Sequence, residues 1–534
     1  MLKSLLLSTA SIVFARGGLS QTMDLQLYRA PTENNPVTFW NARSLELNSL
    51  DHSIAAADAV APGPCASSRA LGVIHAVIAD AVSYAYPAPF KAQFNKTKPS
   101  ILASDPALFV GGAAYAIMLF IYDKKVFSEI ILDNARRDFI GLFSDSNKED
   151  AFKAGIQFGN APDFRGLWNA AKIKELLTDQ RYTPTFGKHD VDPWNPGQKF
   201  YGLRWGEEPP LVLDKADIAE FANKELKAAP PIDQDELDYL IAKGSRTPKS
   251  AGKFPARKSD ETDIGLFWAY DGARLLGTPP VLYNQAVAIV ARADNLTIPH
   301  LARLFALCNL AMADASIVAW EAKWRIALWR PVLAIQSLTD EDKWQPYGSP
   351  RSNRNRYFPT FRIATTSSLR ADDAGEDTAD ILIGASPRAA FTAGADTAPP
   401  DPEYARAAFT PNFPSYPSGH ATFGGACFKA LVNARAKWTR RPNDARVSVQ
   451  SGELNGSTTD NYDPLQRRKN EPMAFRRLAQ LRLAGRDFDL QALTGGNDAS
   501  RIYLGVHWSF DQRDGDLAGR KVGDLIFTKA YSLT

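Results

Sequence analysis

Apolar residues in this chain recur at helical spacing over long stretches, first at Leu71, Ile74, Ile78 and Val82, then at Leu301, Leu304, Cys308, Met312, Ala315 and Ala319. That period puts one face of each segment in contact with other protein, so these stretches fold as packed helices. Further helices are predicted around 109–122, 281–293, 420–437 and 473–488. Runs that alternate at strand period are scarce, so the predicted fold class is all-α: mainly helical, with two helical bundles packed in one compact body. No repeat of solenoid period is present. Between the helices run long stretches containing Pro, Gly and Trp, at 184–212, 338–360, 391–417 and 440–472. Loops of that length are usually functional or disordered. The stretch 391–417 leads straight into Pro417-Ser418-Gly419-His420 and is expected to be an ordered entrance loop. No flexible Gly/Ser linker divides the chain. Residues 38–534 are therefore read as one helical domain, its site-forming half spanning about 295–534, with 1–37 a leader or N-terminal arm.

The charge balance, 62 basic against 59 acidic residues for a net +3, speaks against a nucleic-acid or anionic-membrane partner. Cys65, Cys308 and Cys427 form no C-x-x-C pair, so neither a zinc ribbon nor a disulfide scaffold is expected. Lys3 followed by the interrupted apolar stretch Leu5–Ala15 reads as a weak export signal to a secreted or periplasmic location, with a packed arm as the equal alternative. Without export the chain is expected to be soluble. Asn-x-Ser/Thr triplets at Asn95, Asn295 and Asn455 decide nothing. No uninterrupted apolar run of about 18 residues occurs, so no transmembrane segment is expected.

Three short clusters carry groups that bind a tetrahedral oxyanion. In Lys323–Pro331, KWRIALWRP, seven residues of helix would return Lys323 and Arg330 to one face, about 10 Å apart along the axis, with Pro331 sending Arg330 off the helix end. Alone, such a pair is more often a solvated face. In Pro417-Ser418-Gly419-His420, an apolar helical run follows the motif, so its N-terminal N–H groups and dipole, approached over Gly419, suit an anion. Ser418 adds a donor, or simply caps the helix. His420, with an ordinary pKa near neutrality, suits proton transfer there. In Ser500–His507, Arg501 and His507 would face different ways on an unbroken helix, but Gly505 can end it in a left-handed turn and bring both to one ligand. Asp511, four residues on, is placed to hold the His507 ring. His52, His75, His189 and His300 belong to no cluster and are read as structural.

Together and in this order, K-x6-R-P, P-S-G-H and S-R-x5-H-x3-D resemble the signature shared by vanadium haloperoxidases and the type-2 phosphatidic acid phosphatase superfamily. Vanadate and phosphate are both tetrahedral oxyanions that suit the same cations and backbone donors. Length and the lack of an expected membrane span favour the haloperoxidase branch. Resemblance to fungal-type vanadium chloroperoxidases extends to Arg69-Ala70-Leu71-Gly72, to Gly265–Pro280, to Ala302–Leu307, to Phe413–Ala426 and to Glu453-Leu454-Asn455-Gly456. It covers roughly 38–520 in patches and is poor over the N-terminal 37 residues and over 140–260.

The resemblance implies vanadate-dependent oxidation of chloride or bromide by hydrogen peroxide to hypohalous acid, which halogenates small organic acceptors. It implies a vanadate cofactor with His507 as metal ligand, and Lys323, Arg330, Ser418, Gly419 and Arg501 on its oxygens. His420 becomes the acid/base group and Lys323 a second catalytic residue that polarises the oxygen attacked by halide. Trp320 and Phe413 would wall the halide site, Phe413 in the manner of chloride-competent enzymes, and Asp271 would pair with Arg501. Two alternatives stay open: a soluble acid phosphatase using a histidine nucleophile in the same pocket, and an inert anion-binding helical protein. Oligomeric state has no signature in the chain.

Overall fold

A computed structural model of the protein describes residues 34–348, 410–453 and 490–533, apart from 53–58, 100–104, 123–125, 145, 195, 272–275 and 446, together with the backbone of short strands. The N-terminal half contributes α1 (Pro36–Asp51), α2 (Gly63–Ala85), α3 (Pro106–Ile121), α4 (Val126–Gly141) and α5 (Lys148–Gly159). The C-terminal half contributes α6 (Pro279–Ala293), α7 (Ile298–Ile326), α8 (Gly419–Arg435), α9 (Leu490–Tyr503) and α10 (Ser509–Lys529). Shorter helices, among them Gln234–Gly244 and Ser259–Phe267, lie between the two sets, and Pro331–Leu338 follows α7.

The fold class is the helical one expected. Among the described residues, strand is confined to short antiparallel pairings, with Ser11–Phe14 beside Gln21–Asp24, Val447–Gln450 beside Gly485–Phe488, and three more strands between 361 and 393. The helix expected at 473–488 is therefore corrected at its end, where Gly485–Phe488 is a strand; the remainder lies outside the described residues. Strands of four to six residues are too short for their period to stand out against a helical background. The entrance loop is described only from 410, and Leu454-Asn455-Gly456 lies outside the described residues.

The main hydrophobic core runs from Val37 to Tyr531, with α7 at its centre against α2, α8 and α10, and a small second cluster joins Ala269, Tyr347, Leu504 and Val506. By length and composition α2 and α7 could cross a bilayer, contrary to the reading of the unbroken runs alone, but their apolar windows lie wholly inside the protein. A helix that is apolar all round and enclosed by other helices is a core helix. Glycines set the closest crossings. A Cβ on Gly112 or Gly155 would lie 2.0 Å from main-chain oxygen of the facing helix, so α3 and α5 touch backbone to backbone. Gly515, Gly519 and Gly523 line one face of α10 and let it lie directly on α8. The three cysteines are free and buried. His75 packs on Phe305 with ring centroids 5.4 Å apart and meets Asn41 Oδ1 through Nε2 at 3.0 Å; burial pushes its pKa down to about 3.

Candidate active site

The three motif clusters meet where α7, α8 and α10 converge. The span from Lys323 to Arg330 is not one helix, which corrects the shared-face geometry expected from spacing. α7 ends at Ala327, in left-handed conformation (φ 53°, ψ 39°), with the Ala327 N–H on the Lys323 carbonyl at 2.7 Å. Arg330 lies beyond this break in extended conformation, capping the helix Pro331–Leu338. The Arg501-to-His507 turn forms as anticipated. Gly505 takes φ 69°, its N–H bonds Ile502 O at 2.8 Å, and the Val506 N–H bonds Arg501 O at 3.1 Å. That pair of bonds is a Schellman motif, and it redirects the chain so that His507 returns to the face from which Arg501 projects.

Around the resulting cavity stand Trp320, Phe413, Gly419, His420, Arg501 and His507, enclosing about 30 Å³. Ser418 caps α8, its hydroxyl accepting from the Ala421 N–H at 3.4 Å, and its own N–H bonds the Asp511 carbonyl at 2.8 Å. His507 donates from Nδ1 to Asp511 Oδ2 at 2.9 Å and accepts at Nε2 from Arg330 Nη1 at 3.0 Å. Burial and the cations Arg330 and Lys323 push its pKa well down, so the ring is neutral with its Nε2 lone pair toward the cations. Asp511 Oδ2 also accepts from the Trp508 N–H at 3.0 Å and from the Ser415 hydroxyl. Burial still pushes the Asp511 carboxyl up, to about 7.

Both guanidiniums are fully buried and only partly used. Arg330 donates from Nε to Phe413 O at 2.8 Å and from Nη1 to Val506 O at 2.6 Å, while Nη2 has no partner among the described residues. Arg501 grips Asp271 through Nη2 at 2.9–3.0 Å, leaving Nε and Nη1 without one. Burial lowers the Arg330 pKa to about 9. Buried, unsatisfied donors on two cations cost about 1–3 kcal/mol each, more for charged groups, and an oxyanion relieves that cost.

Lys323 lies differently from expectation. Its Nζ donates to Pro414 O at 2.8 Å, Ser415 O at 2.9 Å and Pro417 O, so its three donors hold the turn that carries the P-S-G-H motif. It also sits 5.2 Å from the Phe413 ring centroid, with the Arg330 guanidinium 5.0 Å from the same ring. Phe413 packs on Trp320 at 4.9 Å. Burial, then the like charge of Arg330, pushes the Lys323 pKa well down.

His420 points its Nε2–H at Ala269 O (2.9 Å) and Trp268 O (3.1 Å), with Asp271 Oδ1 at 3.8 Å. Its pKa near neutrality is corrected: burial, aided by Arg501, lowers it to about 3, so the ring is neutral in the anion-free protein. Sequence reasoning missed the carbonyls of residues 268, 269, 413 and 506 that orient the charged groups, because a main-chain acceptor has no residue-type signature. It also missed Ser415, whose hydroxyl is a short step before the motif in Ser415-Tyr416-Pro417-Ser418.

Comparison with known proteins is consistent over the length of the chain. A family model described as the vanadium chloroperoxidase N-terminal domain matches residues 29–198, and one described as the VCPO second helical-bundle domain matches 303–362 and 388–534. Vanadium chloroperoxidase of Curvularia inaequalis is 29% identical over 556 residues, covering 89% of this chain and 79% of that protein. Among solved structures, one described as the first bacterial vanadium-dependent iodoperoxidase shares the fold at TM-score 0.57 and 18% identity, over 94% of this chain and 97% of its own. An apo-type bacterial vanadium-dependent chloroperoxidase aligns at TM-score 0.50 and 13% identity, over 90% and 96%.

Proposed function

Because the chain belongs to the vanadium haloperoxidase family, we propose that it uses vanadate in this cavity to oxidise chloride or bromide with hydrogen peroxide, yielding hypohalous acid that halogenates small organic compounds. The observation that carries the reading is the pair of buried guanidiniums whose N–H groups include some with no partner among the described residues, beside the neutral His507 ring. These groups fit a tetrahedral oxyanion. His507 would hold the metal through Nε2, the ring nitrogen that Asp511 leaves as an acceptor. Arg330 Nη2, Arg501 Nε and Nη1, the Ser418 hydroxyl and the Gly419 N–H would hold its oxygens. When bound, vanadate supplies Lewis-acid activation of peroxide toward halide.

The chain's own groups do the rest. Asp511 fixes the His507 tautomer and Asp271 sets the Arg501 plane. Lys323 shapes the 414–417 turn through its three carbonyl contacts and sets its Nζ beside the Phe413 ring, and is the second residue to which we assign a catalytic role. His420, neutral before the anion arrives, is ready to take a proton from peroxide; an adjacent anion then favours its charged form, so the same ring can return the proton to the leaving oxygen. Trp320 and Phe413 offer an aromatic wall backed by two cations, suited to a halide, and Phe413 favours competence with chloride. Peroxide, halide and small organic acceptors are the partners of this reading, and the Lys3–Ala15 stretch adds a secreted or periplasmic location to it.

The test uses purified protein stripped of bound anion, supplied with peroxide and bromide, then chloride, with halogenation of monochlorodimedone as readout. Activity should appear only on adding orthovanadate and fall with excess phosphate. Rapid turnover of phosphate esters by the stripped protein, with no gain from vanadate, would assign the pocket to phosphate-ester hydrolysis.

A further inference from the structure

His420 is held at two points. Its ring meets the carbonyls of residues 268 and 269, and its main-chain carbonyl is gripped by two side chains from other helices. Asn497 Nδ2 donates to His420 O at 2.9 Å. The Tyr283 hydroxyl donates to Asn497 Oδ1 at 2.7 Å and lies 3.2 Å from the same carbonyl. Asn497 and Tyr283 are both fully buried. Tyr283 belongs to α6. Asn497 belongs to α9, one turn before Arg501 and on the same face. The amide reaches α8 across Gly424, where a Cβ would lie 2.5 Å from Asn497 Nδ2.

This arrangement is not needed to satisfy the carbonyl, which in a helix already accepts from the N–H four residues on. Nor is it the cheapest way to pack three helices, since apolar side chains would do so without burying an amide and a hydroxyl. What the pair adds is direction. The hydroxyl fixes which end of the Asn497 amide faces His420, and the amide fixes the first turn of α8 relative to the helix that carries Arg501.

We infer that Asn497, oriented by Tyr283, is a positioning residue that sets the His420 imidazole against the cavity beside Arg501. The inference rests on the reading of His420 as the acid/base group, and it follows from how steeply proton transfer depends on placement: an error near 1 Å can cost about 100-fold.

The experiment compares wild type with Asn497→Ala, Tyr283→Phe and His420→Ala. Three quantities are read: kcat and KM for bromide after vanadate loading, the imidazole 15N spectrum of the vanadate-free protein, and Tm. His420→Ala identifies the His420 resonance. Asn497→Ala should lower kcat about tenfold or more, with KM for bromide within about threefold, and should move the His420 resonance. Tyr283→Phe, which keeps the ring, should change both in the same direction by less. Lower Tm in both variants with kcat and the resonance unchanged overturns the inference and leaves the pair a packing contact. Should Asn497→Ala fail to fold, Tyr283→Phe decides by the same readouts. Wild-type kcat in His420→Ala would instead refute the role given to His420, and the resonance shift alone would then decide the positioning.

Discussion

Arg501, which lines the cavity, divides its five N–H donors, with Nη2 on Asp271 and Nε and Nη1 without partners among the described residues. A lysine has one donor centre and cannot hold the carboxylate and meet an anion in a planar fork. Arg501→Lys should therefore lower orthovanadate affinity at least about tenfold, equivalent to roughly 1.4 kcal/mol, in calorimetric titration of the stripped protein. Affinity within twofold of wild type would remove Arg501 from the anion cradle. At this scale the sequence was informative about charged residues and silent about their orientation. Lys, Arg, Ser and His in three ordered motifs point to an oxyanion site, and the structure brings the three motifs into one region. The fact that all three Lys323 donors rest on carbonyls of the 414–417 turn depends on main-chain geometry, which those residue names do not encode.

Two helix endings place the site, and they differ in how legible they were. Gly505 announces its left-handed turn, because only glycine takes φ 69° without steric cost. Ala327 takes φ 53° with a side chain present, so nothing in KWRIALWRP marks the break, and the unbroken-helix reading of Lys323 and Arg330 failed there. Gly505 is also confined from outside, since a Cβ would lie 2.4 Å from Gly244 O. Gly505→Ala should cost about 1–2 kcal/mol for the backbone conformation alone, plus the clash, in urea denaturation. Because the same turn aims His507, vanadate affinity should fall with stability. Retention of wild-type affinity by a destabilised variant would show that His507 finds its place without the Schellman turn.

Over the whole molecule the helical period made the fold class readable, since the main core from Val37 to Tyr531 demands apolar faces on nearly every long helix. The short strands were not readable, being shorter than any window that separates the two periods. The enclosed core also sets acid sensitivity. His75 is buried with a pKa near 3, whereas an unfolded histidine titrates near 6.5. As pH falls the unfolded chain takes up this proton first, so the stability present above about pH 6.5 is lost toward pH 3 by about 1.4 kcal/mol per unit for one proton. His75→Gln should flatten that loss: between pH 7 and 4.5 the variant should lose about 2–3 kcal/mol less than wild type by urea denaturation, and equal losses would show that His75 does not titrate on unfolding. The cavity has a consequence of another kind. Among the described residues it is a space of about 30 Å³, walled by Trp320 and Phe413 and with Pro64, Pro279 and Pro411 also lining it, on the scale of peroxide and halide rather than of an organic acceptor. On the proposed function the oxidant is made in one place and consumed in another, with the new carbon–halogen bond forming outside the described lining of the cavity. Products with a new stereocentre should then be racemic, their site of halogenation set by the electron density of the acceptor.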